Sequence, residues 1–157
     1  MQEAVCDVAV IGAGLGGIYA AHRFREQGLS VTGIEGASGF GGVWYHNGYP
    51  GSRVDTDSVD YCYTFSREIF DGCRWSERYA AQPELLQYLN WAADKLDVAR
   101  LFRFNPWLRE ARWSNSDNRW HLVTARGDRM AARFLVMCTG NLSEPKPLNF
   151  TGLDRFK

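Results

Sequence analysis

Gly12-Ala13-Gly14-Leu15-Gly16-Gly17 has the form G-x-G-x-x-G, and an acidic residue, Glu35, follows it along the chain. Such a loop can do chemistry only in the right surroundings, and here they are present. The β-branched run Val5-Cys6-Asp7-Val8-Ala9-Val10-Ile11 leads straight into it, and Leu15 to Gln27 reads as a helix that begins inside it. Gly12 permits the tight turn, Gly14 removes the side chain that would block a pyrophosphate, and Gly17 lets helix and strand approach. The helix N-terminus then meets phosphate oxygens with N–H groups and partial positive charge. Glu35, at the end of the second strand, suits a ribose diol and would repel a 2′-phosphate, so the expected ligand is FAD or NAD rather than NADP. The competing reading has the glycines only punctuating a turn, with Glu35 a surface carboxylate.

A second stretch, Gly41-Gly42-Val43-Trp44-Tyr45-His46-Asn47-Gly48-Tyr49-Pro50-Gly51-Ser52-Arg53-Val54-Asp55, joins glycines and a proline to a tryptophan and three other rings. It is pliable and aromatic at once. An Ω-loop packed on its own rings would account for the rings alone.

The elements that must position these residues follow from pattern. Gly28 closes the first helix at its C-terminal cap, and Ser30 to Glu35 is the next strand, which makes a strand–helix–strand unit with parallel pairing. No period holds from Gly36 to about Asp60. Pro83 suits a first helical turn, and Leu85, Leu89, Ala92 and Leu96 then form one apolar stripe ending near Asp97. Strands are expected near Leu101–Phe104, Trp107–Trp113, Trp120–Ala125 and Arg133–Cys138, the last three as an antiparallel meander. The fold class is α/β: a Rossmann-like domain with a parallel sheet and an antiparallel β-meander.

Composition narrows the function classes. The 157 residues are 45% hydrophobic and 23% charged with zero net charge, as in an ordinary globular domain. No apolar run approaches a membrane span, and Met1-Gln2-Glu3-Ala4 lacks a basic secretory start, so a cytoplasmic location is the expectation. Residues 1–70 carry 4 basic and 8 acidic side chains and residues 71–157 carry 14 and 10, but the arginines of the second half form no single run. A solvated sheet face fits them better than nucleic acid. Cys6, Cys62, Cys73 and Cys138 show no C-x-x-C pair, so free thiols are expected and no metal site. His22 and His121 have no nucleophile or acidic partner at a telling spacing and read as ordinary surface or core histidines.

The second stretch settles the choice between FAD and NAD by resemblance. Glu35 followed by the Gly41-Gly42 doublet looks like flavoproteins that lay FAD along the first strand–helix–strand unit. Gly41-Gly42-Val43-Trp44, Tyr49-Pro50-Gly51 and Asp55 fit the [AG]-G-x-W-x-x-x-x-[FY]-P-[GM]-x-x-x-D fingerprint of Baeyer–Villiger monooxygenases. The resemblance continues through Tyr61-Cys62-Tyr63-Thr64-Phe65, Trp75-Ser76-Glu77-Arg78-Tyr79, Gln82-Pro83-Glu84 and Cys138-Thr139-Gly140-Asn141, and so covers the chain. Departures are Cys138 for the usual Ala, Thr151 for Pro, and His46 for another aromatic residue.

The resemblance implies an FAD site in which Gly42 and Val43 bring backbone close to the flavin while Trp44, Tyr45 and Tyr49 pack and shield it. Tyr61 would line that site and the backbone of Leu108 would pass the adenine. Asp55 would lie beside the flavin and hold an active-site arginine; a surface carboxylate or helix cap is the alternative. The implied reaction has NADPH reduce FAD and O2 oxidise a ketone to an ester or lactone. Phe156-Lys157 stands where a second fingerprint, F-x-G-x-x-x-H-x-x-x-W, would begin. The chain is therefore expected to be the N-terminal part of an FAD-binding domain, inactive alone, with the NADP-binding domain and the remainder outside it. Two other readings are an N- or S-oxygenating flavin monooxygenase and a non-catalytic FAD-binding or interaction module.

Overall fold

The computed structural model describes residues 4–143 and 146–155; Met1-Gln2-Glu3 and Phe156-Lys157, on which two sequence expectations rest, lie outside the described residues. The chain begins with β1 (Ala4–Ile11), α1 (Leu15–Glu26) and β2 (Val31–Glu35). β1 is parallel to β2, with Val8 opposite Val31 and Ile11 opposite Ile34. Val8, Ala9 and Val10 are fully buried, which is why the run shows no alternation: both faces of this strand are covered.

The middle of the chain is irregular apart from short helices α2 (Val43–His46) and α3 (Arg67–Asp71) and a 3-10 turn at Ser58–Tyr61. α4 (Gln82–Lys95) follows with proline in its first turn, and buries Leu85, Tyr88, Leu89, Ala92 and Ala93. α1 buries Gly17, Ile18, Ala21 and His22. Arg25, one turn on from Ala21, is not part of that buried face. Its guanidinium donates to the carbonyls of Leu96 and Asp97, satisfying carbonyls that the end of α4 leaves open.

β3 (Phe102–Phe104), β4 (Leu108–Ser114), β5 (Arg119–Thr124) and β6 (Arg129–Met137) complete one sheet in the order β3-β2-β1-β6-β5-β4. β3, β2, β1 and β6 are parallel, and β5 and β4 continue antiparallel from β6. The expected parallel sheet and meander are thus fused. β6 starts at Arg129 rather than Arg133, because Arg129–Ala132 pair with β5 while the stretch from Met130 to Met137 pairs with β1. Met130, Ala131 and Ala132 are buried there; alanines carry little strand signal, but they fit a crowded sheet centre.

Two sequence expectations are corrected. Cys62 and Cys73 form a disulfide, with Cα atoms 5.9 Å apart, and only Cys6 and Cys138 are free thiols. The irregular segment between them folds back through α3, which spacing alone could not show. The histidines do have acidic neighbours, four residues away in each case: His22 Nε2 lies 3.3 Å from Glu26, and His121 Nε2 lies 2.9 Å from Asp117. Burial lowers the His22 pKa despite that carboxylate. No helix among the described residues is long and apolar enough to cross a membrane.

Candidate FAD-binding site

β1 delivers the chain to Gly12, whose φ of +101° only glycine adopts without strain. A Cβ there would meet the Cys138 carbonyl oxygen at 2.4 Å, and one on Gly17 would meet the Gly12 carbonyl oxygen at 1.8 Å. Gly12 thus lets β1 pass the end of β6, and Gly17 lets α1 pack on the loop. Gly14 is the N-cap of α1; no side chain caps that end and its first turn holds no acidic residue. The helix therefore presents a positive terminus that no carboxylate of its own first turn offsets.

Glu35 is buried, at 7% exposure, and both carboxylate oxygens are engaged. Oε2 accepts from the Ala13 N–H at 2.6 Å and Oε1 from the Ala37 N–H at 2.7 Å. Glu35 is therefore a brace between the glycine loop and the turn leaving β2. A carboxylate oxygen has a second lone pair, so this does not prevent it from accepting a ribose hydroxyl.

The second glycine stretch packs on the first. Gly41 donates to the Ala13 carbonyl at 3.0 Å. Gly42, at φ +55°, comes so near Gly14 that a Cβ on it would lie 2.9 Å from the Gly14 Cα, and a Cβ on Gly14 would lie 3.4 Å from the Gly42 Cα. The two backbones cross with no side chain between them. Such a cradle, open to backbone N–H groups, fits a pyrophosphate and the start of a ring system.

The aromatic residues divide by role. Trp44 is buried, edge-on to Tyr61 with ring centroids 5.6 Å apart, and the Gln82 side-chain amide donates to its carbonyl. Tyr45 is partly exposed and its hydroxyl is hydrogen-bonded to Ser38; Val43 and Tyr49 are exposed. Burial, reinforced by Asp55, raises the Tyr61 phenol pKa, so the phenol stays neutral.

Asp55 is exposed and makes no ion pair with any described residue. The backbone before it is fixed, since Arg53 bridges Ala81 and Val54 donates to the Ala80 carbonyl at 3.1 Å. It is not the cap of the following 3-10 turn, whose N-cap is Asp57. The capping alternative is thereby removed. Leu108 opens β4, paired with Thr124 across the sheet from β2, and its half-buried side chain packs with the cluster of Ile34, Leu122 and Met130.

Tyr63 was not singled out from sequence. It is buried, and its hydroxyl donates to the Leu15 carbonyl at 2.6 Å while its N–H donates to the Tyr88 hydroxyl at 2.8 Å. It ties α4 to the first turn of α1 and so steadies the loop. Burial holds its phenol far above the ordinary range. A lone tyrosine with no spacing partner gives no signal of this.

Residues 10–71 match the model of an NAD(P)-binding Rossmann-like domain. A Baeyer–Villiger monooxygenase of Pseudooceanicola batsensis is 43% identical over 152 residues, which are 96% of this chain and 28% of that protein. Over nearly its whole length this chain is similar to a Baeyer–Villiger monooxygenase. A phenazine N-monooxygenase of Lysobacter antibioticus is 40% identical over 152 residues, 96% of this chain and 28% of that enzyme. The solved structure of OTEMO in complex with FAD and NADP superimposes with a TM-score of 0.88 at 40% identity, over 99% of this chain and 30% of the other. The chain thus spans under a third of each of these relatives. The matched segment is the one carrying the glycine crossing, the Glu35 brace and the Trp44–Tyr61 pair.

Proposed function

We propose that the complete protein is an FAD- and NADPH-dependent monooxygenase that converts a ketone to an ester or lactone with O2, and that this segment, the N-terminal part of the FAD-binding domain, holds the ADP half of FAD and one wall of the flavin. The crossing of Gly14 and Gly42 beside the uncapped terminus of α1 is the observation that carries this reading. When bound, the flavin supplies the redox and O2 chemistry.

The residues of the chain bind and orient. The loop from Gly12 to Gly17 takes the pyrophosphate, and Glu35 accepts from the ribose. Gly42 and Val43 bring backbone to the ring system, while Trp44, Tyr45 and Tyr61 shield it from water. Asp55, exposed on a fixed backbone, orients an arginine supplied by sequence outside the segment. NADPH and the ketone would be bound outside it too. The reading places the enzyme in the cytoplasm, where NADPH is made and where the Cys62–Cys73 bridge is open to reduction by cellular thiols. Nucleic acid has no part in it, since Arg100, Arg112 and Arg133 are each paired with a carboxylate.

A second reading is N-oxygenation, favoured by the similarity of the same segment to a phenazine N-monooxygenase. The test is common to both. The complete protein is purified, its flavin absorbance measured, and NADPH consumption followed with ketones and with nitrogen heteroaromatics, the products being identified by mass. Ester formation supports the first reading and N-oxide formation the second. A complete protein that carries no flavin and takes none up would overturn both.

A further inference from the structure

Gly36 follows Glu35 directly, and Trp107 occupies the space it leaves. A Cβ on Gly36 would lie 2.4 Å from Cδ2 and 2.5 Å from Cε2 of Trp107, so an indole face covers the Gly36 backbone. The rest of the ring is open: Trp107 is 62% exposed. An indole that is anchored yet exposed is unusual, because burial is what ordinarily holds one.

The loop bearing it is fixed at both ends. Asn105, at φ +73°, donates to the Ala37 carbonyl at 2.9 Å, and Ala125 donates to the Trp107 carbonyl at 2.8 Å. Leu108, the next residue, opens β4 and packs in the cluster on one face of the sheet, which fixes the strand that leaves the loop.

The Glu35 brace gives the ligand a direction. Its Oε2 faces Ala13 in the glycine loop and its Oε1 faces Ala37 in the turn. In an ADP group the order is pyrophosphate, ribose, adenine. With the pyrophosphate on the loop and the ribose at Glu35, the base comes next, past the carboxylate, at the turn Trp107 covers.

We infer that Trp107 is a further binding residue of the dinucleotide site, its open indole surface stacking on the adenine of the cofactor. The inference rests on the FAD reading. Stacking needs only a rigid π-face beside the base, and Gly36 provides the clearance that seats it.

The test uses the complete protein freed of flavin, with FAD and ADP as probes, for the wild type, Trp107→Ala and Trp107→Phe, and with melting temperatures for each sample. Trp107→Ala is expected to weaken FAD and ADP by the same factor, about 5- to 150-fold for loss of one base–aromatic stack. Trp107→Phe, which keeps a ring, is expected to recover most of it. Unchanged ADP affinity in Trp107→Ala overturns the stacking, and so does a loss in Trp107→Phe as large as in Trp107→Ala. A wild-type protein that binds ADP but no FAD overturns the flavin reading and leaves the stacking standing. One that binds neither overturns both.

Discussion

At Glu35 one carboxylate has two tasks, and they can be separated. It braces two buried turns through Ala13 and Ala37, and in the proposed complex it also accepts from a ribose. Glu35→Ala leaves two N–H groups without an acceptor, each worth about 1–3 kcal/mol when buried. The variant is expected to lose thermal stability without any ligand. It is also expected to bind FAD about 1.5–3 kcal/mol more weakly, the value of a hydrogen bond to a charged group. Thermal denaturation of the flavin-free protein reads the first effect and flavin titration the second; a full-affinity variant with a lowered Tm would leave Glu35 a brace alone. Asp55 makes the opposite case, being exposed with no ion pair to any described residue. In the complete protein Asp55→Ala is expected to keep its FAD and its Tm while flavin reduction or reoxidation slows about 10²- to 10³-fold, as when one preorganised electrostatic group is removed. Stopped-flow traces matching the wild type would reduce Asp55 to a surface carboxylate.

Between elements, two ties hold separate parts of the chain together. Asp7 in β1 accepts from the Ser30 hydroxyl at 2.6 Å and the Ser30 N–H at 3.0 Å, and from Arg133 of β6 at 3.2 Å. Those hydrogen bonds, Ser30's first and then Arg133's, pull its pKa down to about 2. A depressed carboxylate stabilises the fold above its unfolded pKa of about 4, and that contribution is lost as pH falls toward about 2. Asp7→Asn is therefore expected to reduce stability at neutral pH and to flatten its fall between about pH 4 and pH 2. Urea unfolding across that range measures it, and parallel curves for the two proteins would count against the tie. The second tie is Cys62–Cys73, which closes the loop holding α3. In the chain-entropy model, a loop of this size makes the bridge worth about 3 kcal/mol. Thiol reductant, or Cys62→Ser with Cys73→Ser, is expected to lower the Tm accordingly. An unchanged midpoint would mean that packing of Ile69 and Trp75 holds the loop by itself.

For the molecule as a whole, apolar exposure is concentrated late in the chain. Phe134 and Met137 on β6 are exposed, as are Leu142, Leu148, Phe150 and Leu153 beyond it. β5 pairs with β6 only as far as Ala132, so these side chains lie past the end of the antiparallel pairing. Expressed alone, residues 1–157 are expected to bind FAD weakly or not at all and to self-associate. The pyrophosphate loop is complete, but in the proposed complete protein much of the wall that buries the flavin ring, at about 25 cal/mol per Å², comes from other sequence. Absorbance at the flavin band and light scattering measure both. A yellow monomer with one flavin per chain would show that the walls in this segment suffice.

Much of this was legible in the residues. The strand–glycine–helix–strand unit announces itself because Gly12, Gly14 and Gly17 answer local demands of backbone angle and clearance. The stripe of Leu85, Leu89 and Ala92 marks α4 for a similarly local reason, the period of its buried face. The fingerprint from Gly41 to Asp55 carries the resemblance to Baeyer–Villiger monooxygenases through residue types alone. Only the tertiary structure decided what depends on segments meeting. It made Glu35 a brace before it could be a ribose acceptor, because Ala13 and Ala37 converge on it. It paired Gly42 with Gly14, Cys62 with Cys73, and Trp107 with Gly36. It also ran β6 from the meander into the parallel sheet. The division has one physical cause. A glycine's allowed angles and a helix's period belong to neighbouring residues and are written in their order, whereas a contact between distant residues exists only once the sheet has closed and brought their backbones together.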